Sequence, residues 1–472
     1  MMHRLCCLIL AAAAAAALLA GCAGAPGNGG SASADPASSG ISPELASAYG
    51  EGASALTVET LSNSGRITVY TTTADFANDK FDNDPVMQKY NDWAKKYYGL
   101  TVKYRYRGWS ATQLEKFMTD YAAGDAPDLF VLNYYTWPKI AFRDVLYSVE
   151  DLAKLGVREL DHPILTQSAE LAARYRVGDK QYAIAAAGCF PVLCGINLDL
   201  FEEYSVKSPL DYYKEGAWNM DAYVRCCKEL TRTVGEKKIW GGFGWNQDWF
   251  LIANDGRMID WDKDHAKLVV AMNDSKTLNA LNTIRDLYMS GYVPEQGDAF
   301  FKRGQMGIFC AENQNLAFTL KDCTFRWDVV PFPLGADNTS GNCPGAPQAH
   351  VVISSSRNPQ GAVNYMISRK MWAKYLRESD LTERMIEAGE MDERQNAYNE
   401  PGWYTFDEEQ IAMYEALENK VAVDLTRGTG TLALDTSFWN DLTQGKTVKE
   451  CIDAYEALYR EQCEFENNYK PQ

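Results

Sequence analysis

The stretch Tyr182–Phe201, YAIAAAGCFPVLCGINLDLF, decides how the rest of the chain is organised. Apolar strand-like runs alternate with amphipathic helical runs before it, and the same alternation begins again after it. The small residues from Ala185 to Gly188 allow another surface to approach the backbone, and Pro191 suits an extended path better than a helix. The stretch therefore predicts an extended crossover between two α/β halves, with a ligand-binding cleft between them. The alternative is a buried core strand of a single domain.

The first half of the chain has the pattern strand, helix, strand, helix, strand. RITVYTT at Arg66–Thr72 is a β-branched run, and Leu100–Tyr106 alternates apolar and polar residues. Apolar residues at helical spacing predict helices over Val86–Tyr98 and Ala111–Ala123, and a third strand ends at Leu132. This order predicts a mostly parallel sheet with right-handed crossovers. In such sheets ligands bind beyond the carboxyl ends of the strands.

Aromatic side chains are the best clue to a ligand, because the chain has 12 Trp, 27 Tyr and 18 Phe. Sugar rings stack on aromatic planes through their C–H faces, and their hydroxyls need polar hydrogen-bond partners. Both kinds of residue occur at predicted strand or loop ends, which predicts a carbohydrate site. The candidate ligand-binding residues are Asp75, Trp109, Asn133, Tyr135, Trp137, Phe190, Trp245, Asp248, Trp249, Glu312, Asn313 and Trp403. Each Trp could instead be a core residue, the role that we assign to Trp93, Trp240 and Trp372.

The N-terminus has the organisation of a secretory signal. Arg4 precedes an apolar run, Leu5–Ala20, that is too short for a membrane span and right for a signal peptide over residues 1–21. Leu19-Ala-Gly-Cys22 resembles the lipobox of bacterial lipoproteins, which implies cleavage before Cys22 and diacylation of its sulfur. An ordinary signal peptide with a chance cysteine is the alternative.

Composition indicates how the mature protein is divided and which partners it disfavours, because its regions differ in apolar content and its net charge is negative. Residues 22–65 contain few large apolar residues and are predicted to form a flexible tether with a reach of roughly 35 Å. The remainder is longer than one core usually serves, so two or three lobes are expected. The formal net charge of −17 argues against nucleic acid or an anionic lipid surface as a partner.

Nine cysteines remain once Cys6, Cys7 and Cys22 are set aside as signal-peptide and lipobox residues. Their number is odd and none forms a C-x-x-C pair, so at least one thiol is expected to be free or bonded to another molecule. We interpret most of them as small buried hydrophobic residues. They are Cys189, Cys194, Cys226, Cys227, Cys310, Cys323, Cys343, Cys451 and Cys463.

The sequence contains no catalytic constellation that we can identify. G-x-S-x-G and H-E-x-x-H are absent, and Gly428–Thr431 lacks the lysine of a phosphate-binding loop. Asp260–Asp264 lacks the glycine and glutamate that a calcium loop needs, so we interpret it as a hairpin. We expect no metal, no cofactor and no enzymatic activity. Because carboxylates are plentiful, a surface glycoside hydrolase stays open as an alternative.

Six further segments occur in a fixed order along the chain. They are GDAPDLF (Gly124–Phe130), LYSVEDL (Leu146–Leu152), WNMDAY (Trp218–Tyr223), FKRGQMGIF (Phe301–Phe309), WDVVPFPLG (Trp327–Gly335) and ISSSRNP (Ile353–Pro359). Together with the crossover stretch, they resemble the extracellular solute-binding proteins of ABC importers, sugar type. Each motif is weak by itself, but their order behind a lipobox is specific. The resemblance spans about residue 66 to the C-terminus.

This resemblance implies an α/β fold of the two-lobe periplasmic-binding-protein type. Each lobe would be a mostly parallel sheet flanked by helices, and a multi-segment hinge would join the lobes. The expected lobes are residues 66–192 with 306–370, and residues 193–305 with 371–472. The expected crossings of the chain between them are Tyr182–Leu198, Met306–Asn313 and a point near Lys370.

The resemblance also implies a function. We expect a monomeric protein, lipid-anchored to the outer face of the cell membrane, that captures a carbohydrate, in particular an oligosaccharide. Lobe closure on the ligand would precede its delivery to an ABC permease. A peptide, a polyamine or a metal chelate remains open as the ligand instead.

The lipobox gives the first testable prediction. Cys22→Ala removes the only sulfur that the lipobox offers for diacylation, so we expect it to abolish lipid labelling and to release or mislocalise the protein. Metabolic labelling with palmitate, followed by fractionation, measures both effects. Persistent labelling of the variant would show that the lipobox interpretation is wrong.

Overall fold

The structure is a computed structural model, and the chain is described here over the segments that it places. These are residues 65–71, 85–106, 112–244, 246–294, 297–378, 384–385, 387–389, 406–430 and 432–470.

Fourteen strands lie in the described segments. They are β1 (Gly65–Thr71), β2 (Leu100–Tyr106), β3 (Leu129–Leu132), β4 (Arg176–Val177), β5 (Lys180–Gln181), β6 (Ala185–Gly188), β7 (Val192–Asn197), β8 (Arg232–Val234), β9 (Lys237–Gly244), β10 (Ile259–Trp261), β11 (Leu268–Val270), β12 (Met306–Glu312), β13 (Trp327–Pro331) and β14 (Gln348–Val352).

The helices in the same segments surround these strands, with a 3₁₀ helix at Lys139–Arg143. They are α1 (Pro85–Tyr98), α2 (Gln113–Ala122), α3 (Val149–Lys154), α4 (Pro163–Thr166), α5 (Ala169–Ala172), α6 (Leu198–Glu203), α7 (Pro209–Lys214), α8 (Met220–Leu230), α9 (Asp248–Ala253), α10 (Ser275–Met289), α11 (Asp298–Lys302), α12 (Asn313–Lys321), α13 (Pro359–Glu378), α14 (Glu408–Glu418), α15 (Thr426–Thr429), α16 (Leu432–Thr443) and α17 (Val448–Asn467).

The first sheet has the strand order β2-β1-β3-β14-β6. β1 pairs in parallel with β2 and β3, as the alternating strand and helix pattern predicts. β14 enters from late in the chain and runs antiparallel to both of its neighbours. The sheet is therefore mixed, with four of its five strands running in one direction.

The second sheet has the order β13-β7-β12-β9-β8. Its pairing of β12 with β9 is parallel, and its three other pairings are antiparallel. The two α/β lobes are as expected. The sheet of this lobe, however, is mixed and mainly antiparallel, whereas a mostly parallel sheet is expected from the sequence. The difference arises because β7 enters directly from the other sheet and so runs against both of its neighbours.

Three chain segments meet where the two sheets join. β6 and β7 belong to different sheets and are separated by Cys189–Pro191, which lies within the stretch Tyr182–Leu198 where we predict a crossover. Pro191 forms a bridge with Gly345, and Cys343 forms one with Val421. Backbone hydrogen bonds from Val192 N to Pro344 O (3.0 Å) and from Ala422 N to Cys343 O (2.9 Å) hold the three segments side by side.

The second crossing differs from the expected one. β12 pairs inside the second sheet, and so does β13, so the return to the first sheet occurs within residues 332–347 and not at Met306–Asn313. The boundary near Lys370 also lies too early. α13 continues to Glu378 and packs on the first sheet through Met371, Trp372 and Leu376.

Buried side chains fill both faces of each sheet. One apolar cluster runs without a break from the first sheet to the second, and each sheet also packs a separate cluster on its other face. Trp93 and Trp372 are buried in the first sheet's own cluster, and Trp240 is half-buried against Phe300, so their predicted packing roles are confirmed. All nine cysteines that follow Cys22 lie in described segments as free thiols, and every one except Cys323 is buried.

A substitution at Gly345 tests the joint between the lobes. A Cβ added at this position would lie 2.6 Å from the Phe190 carbonyl oxygen and 2.7 Å from Val421 Cγ1, which belong to the other two segments. We therefore expect Gly345→Ala to lower the free energy of unfolding by roughly 1–3 kcal/mol through overpacking. Chemical denaturation measures this, and an unchanged midpoint would contradict a tightly packed joint.

Candidate functional site at the junction of the lobes

The ends of several strands converge on the joint between the two sheets. β6 leads through Phe190 into β7, whose first residue, Val192, lies opposite Glu312 at the end of β12. The end of β9 lies beside β12, because Gly244 pairs with Cys310. In the first sheet, the end of β3 lies beside β14. The residues that follow β3, β9 and β12 therefore line one junction between the lobes.

A tight turn after β3 forms the first-lobe side of this junction. Asn133 is fully buried, donates from Nδ2 to Gln113 Oε1 (2.9 Å) and accepts from the backbone N–H of Tyr135 (2.9 Å). These bonds fix the turn and leave Tyr134 and Tyr135 half-buried, with ring centroids 4.5 Å apart. The two rings offer an aromatic surface at the edge of the sheet.

The second-lobe side carries a buried amide, that of Asn313, with no side-chain hydrogen-bond partner among the described residues. Glu312 is half-buried and accepts from Asn315 Nδ2 at 3.0 Å. Asn313 donates its backbone N–H to the Pro191 carbonyl at 2.9 Å, which ties it to the crossover. Its side chain is fully buried, and neither Oδ1 nor Nδ2 has a hydrogen-bond partner among the described residues. An unpaired buried amide is costly, and a hydroxyl, which both donates and accepts, would satisfy it.

Arg427, at the start of the C-terminal helices, joins the two sides. Its Nε donates to Asp248 Oδ2 at 2.9 Å, and its guanidinium carbon lies 5.2 Å from the centroid of the Tyr134 ring. Burial raises the pKa of Asp248, and Arg427 opposes that shift. Burial lowers the pKa of Arg427, but the nearby Asp248 carboxylate and other groups more than offset it. Asp248 and Arg427 therefore form a largely buried pair, with side chains 6% and 23% exposed.

Two more acidic residues, Asp424 and Asp435, lie near Asp248 and Arg427. Asp435 accepts from the Tyr459 hydroxyl at 2.6 Å, while its Oδ2 has no partner among the described residues. Burial is the main cause that raises the pKa of Asp435 to about 7, and Asp248 adds to the shift. Near neutral pH, Asp435 can therefore act as a hydrogen-bond donor or an acceptor.

Two candidate tryptophans lie inside packed structure. Trp137 is completely buried, with the rings of Tyr175 and Trp261 at 5.3 Å and 6.5 Å. Trp249 is 3% exposed and packs edge-on against Phe332. Their contact with a ligand stays a prediction. The aromatic surface that this structure leaves partly open belongs to Tyr134, Tyr135 and Phe190.

The remaining candidates divide into two groups. Asp75, Trp109, Trp245 and Trp403 lie outside the described residues. Asn133, Tyr135, Phe190, Asp248, Glu312 and Asn313 lie at the junction, and their contact with a ligand stays a prediction. Sequence reasoning missed Arg427 and Asp435, because neither follows a predicted strand. The one sequence signal is that Arg427 directly precedes the small-residue run Gly428–Gly430, with Asp435 five residues beyond the run.

The described residues offer neither a membrane-spanning helix nor a ready-made metal site. None of their helices is both long enough and apolar enough to cross a membrane. No group of three His, Cys, Asp or Glu side chains among them is arranged to hold a metal ion.

Comparison with known families identifies the class of protein. The family model of bacterial extracellular solute-binding proteins matches residues 73–371, which is more than half of the chain. The chain therefore belongs to the bacterial extracellular solute-binding protein family. It is a solute-binding protein and not an enzyme, as expected. A search of curated protein sequences finds no match.

Solved structures share the two-lobe fold at low sequence identity. An ABC substrate-binding protein from Listeria monocytogenes in complex with cycloalternan has a TM-score of 0.58 at 16% identity, covering 84% of this chain and 98% of that one. UgpB from Mycobacterium tuberculosis in complex with glycerophosphocholine has a TM-score of 0.59 at 17% identity. The match covers 85% of this chain and 98% of that one. The galacto-N-biose-/lacto-N-biose I-binding protein from Bifidobacterium longum, in complex with lacto-N-biose, has a TM-score of 0.56 at 16% identity. The match covers 83% of this chain and 95% of that one.

The raised pKa of Asp435 predicts a pH-dependent effect on stability. Its folded pKa of about 7 lies above the ordinary value of 3.8, so ionising this group costs stability as pH rises from about 4 to about 7. Asn resembles the protonated acid. We therefore expect Asp435→Asn to raise the free energy of unfolding at pH 8, by at most about 4 kcal/mol, and to change it little at pH 4.

Urea unfolding at both pH values measures this effect, and Asp441 offers a matched control. Lys446 and Tyr455 donate to the Asp441 carboxylate, which lowers its pKa, so Asp441→Asn should lower stability at pH 8. An equal effect of Asp435→Asn at the two pH values would contradict the raised pKa.

Proposed function

We propose that this protein binds an oligosaccharide between its two lobes and delivers it to an ABC permease. The observation that carries the proposal is the pairing of an open aromatic surface with unsatisfied polar groups at one junction. Tyr134, Tyr135 and Phe190 supply the rings, and Asn313 supplies a buried amide without partners among the described residues. Stacking faces and a mixture of donors and acceptors are what sugar rings and their hydroxyls require.

The charges at the junction disfavour an anionic ligand. Arg427 is the guanidinium paired with Asp248, and Asp424 and Asp435 add carboxylates to the same neighbourhood. An excess of carboxylate over guanidinium repels anionic ligands. Neutral hydroxyls can still bond to both kinds of group.

The similar solved structures support the proposal by analogy. Two of the three described above contain oligosaccharides, and the third contains glycerophosphocholine, so the fold accommodates sugars and at least one other solute. At these identities the likeness concerns the fold alone. Binding would proceed by closure of the two lobes, with the ligand favouring the closed state.

The location of the protein is part of the proposal. The family is extracellular, and the lipobox residue Cys22 would carry the lipid that holds the protein at the outer face of the membrane. Residues 22–65 would then act as the tether between the lipid and the lobes.

Calorimetric titration and a glycan array test the ligand class. We expect binding to at least one neutral oligosaccharide, with cycloalternan and lacto-N-biose as the first probes and no cleavage of a bound glycan. Glycerophosphocholine serves as the non-sugar probe. Binding of glycerophosphocholine, with no glycan bound on the array, would show that the carbohydrate proposal is wrong.

Tryptophan substitutions test where the sugar lies. Trp109→Ala and Trp245→Ala should each weaken glycan binding by roughly 2–4 kcal/mol if these rings stack on the sugar. Trp93→Ala is the matched control, because Trp93 is 8% exposed in the first-lobe core. It should lower the free energy of unfolding by roughly 3–5 kcal/mol and leave affinity unchanged. Wild-type affinity in both Trp109→Ala and Trp245→Ala would place the sugar elsewhere.

A further inference from the structure

Arg427 contacts both lobes from a segment that belongs to neither sheet. Tyr134 follows β3 of the first sheet, and Asp248 begins α9 directly after β9 of the second sheet. The guanidinium of Arg427, in α15, packs over the Tyr134 ring at 5.2 Å and bonds to Asp248 at 2.9 Å. A single side chain therefore spans the junction.

The neighbouring residues hold α15 against the first-lobe turn. A Cβ on Gly428 would lie 1.5 Å from the Trp137 carbonyl oxygen, so the two backbones are in direct contact. Lys139 Nζ donates to the Gly430 carbonyl at 3.2 Å. These contacts fix the backbone that follows Arg427 and so aim its side chain into the junction.

We propose that Arg427 is a positioning residue that holds the two lobes together in the absence of ligand and so sets how far the ligand-free cleft opens. Its planar guanidinium can stack on a ring with its face and bond to a carboxylate with its edge, which lysine cannot do. The Asp248 side chain is 6% exposed, so loss of Arg427 leaves a buried carboxyl group without its ion-pair partner. Separation of the lobes would let water bond to that group.

The same residue connects ligand binding to closure. Its two Nη groups make no hydrogen bond to any described residue, and its side chain is 23% exposed. An oxygen-rich ligand at the junction would accept from these groups and strengthen the bridge. This last step rests on the proposed function, whereas the ligand-free role does not.

Small-angle X-ray scattering of the ligand-free protein tests the bridge. Each protein carries Cys22→Ala and is unfolded and refolded to remove any bound solute. The variants are Arg427→Gln, Arg427→Lys and Asp248→Asn. The control is Arg326→Gln, because Arg326 is also an arginine paired with carboxylates, but its partners Asp199 and Glu202 lie in the second lobe.

We expect a larger radius of gyration and maximum dimension in Arg427→Gln and Asp248→Asn, a smaller increase in Arg427→Lys and none in Arg326→Gln. Thermal melts and circular dichroism show which variants fold. A folded Arg427→Gln with the wild-type scattering curve overturns the proposal. If Arg427→Gln does not fold, wild-type curves for both Arg427→Lys and Asp248→Asn overturn it instead. No glycan is present, so this outcome is independent of whether the protein binds a sugar.

Discussion

The backbone contact among three chain segments sets the geometry of the whole protein. Phe190 and Pro191 cross from one sheet to the other, Gly345 lies against them without a side chain, and Val421 closes the third side through its bridge with Cys343. Because the sheets meet here, the ends of β3, β9 and β12 face one another. The candidate site is therefore formed by the side chains that follow the ends of these three strands.

Charge at the junction explains why this arrangement suits a binding protein. A buried ion pair costs desolvation energy and is weak evidence for stability. Asp248 and Arg427 nevertheless lie there, together with a carboxyl group, Asp435, whose pKa is raised to about 7. A polar group without a hydrogen-bond partner among the described residues can bond to a ligand if the lobes move, and the side-chain amide of Asn313 is the plainest case.

Sequence patterns predicted the strands and helices of the first part of the chain, and the small residues with Pro191 indicated the extended path from β6 to β7. They misplaced β12. Its residues, MGIFCAE, are apolar in a nearly continuous run, which indicates a buried strand but not the sheet that it joins. Pairing is decided by residues far away in the chain, in this case Val192–Ile196. The mixed order of the second sheet could not be predicted for the same reason.

The candidate site shows a second limit of sequence reasoning. A tryptophan after a strand can stack on a ligand or on its own protein, and Trp137 and Trp249 are enclosed by aromatic neighbours that only the fold reveals. Arg427 was missed for the opposite reason, since its partners lie 179 positions away at Asp248 and still further at Tyr134. Strand ends therefore predict where a cleft lies, whereas the residues that bridge it come from a segment with no strand at all.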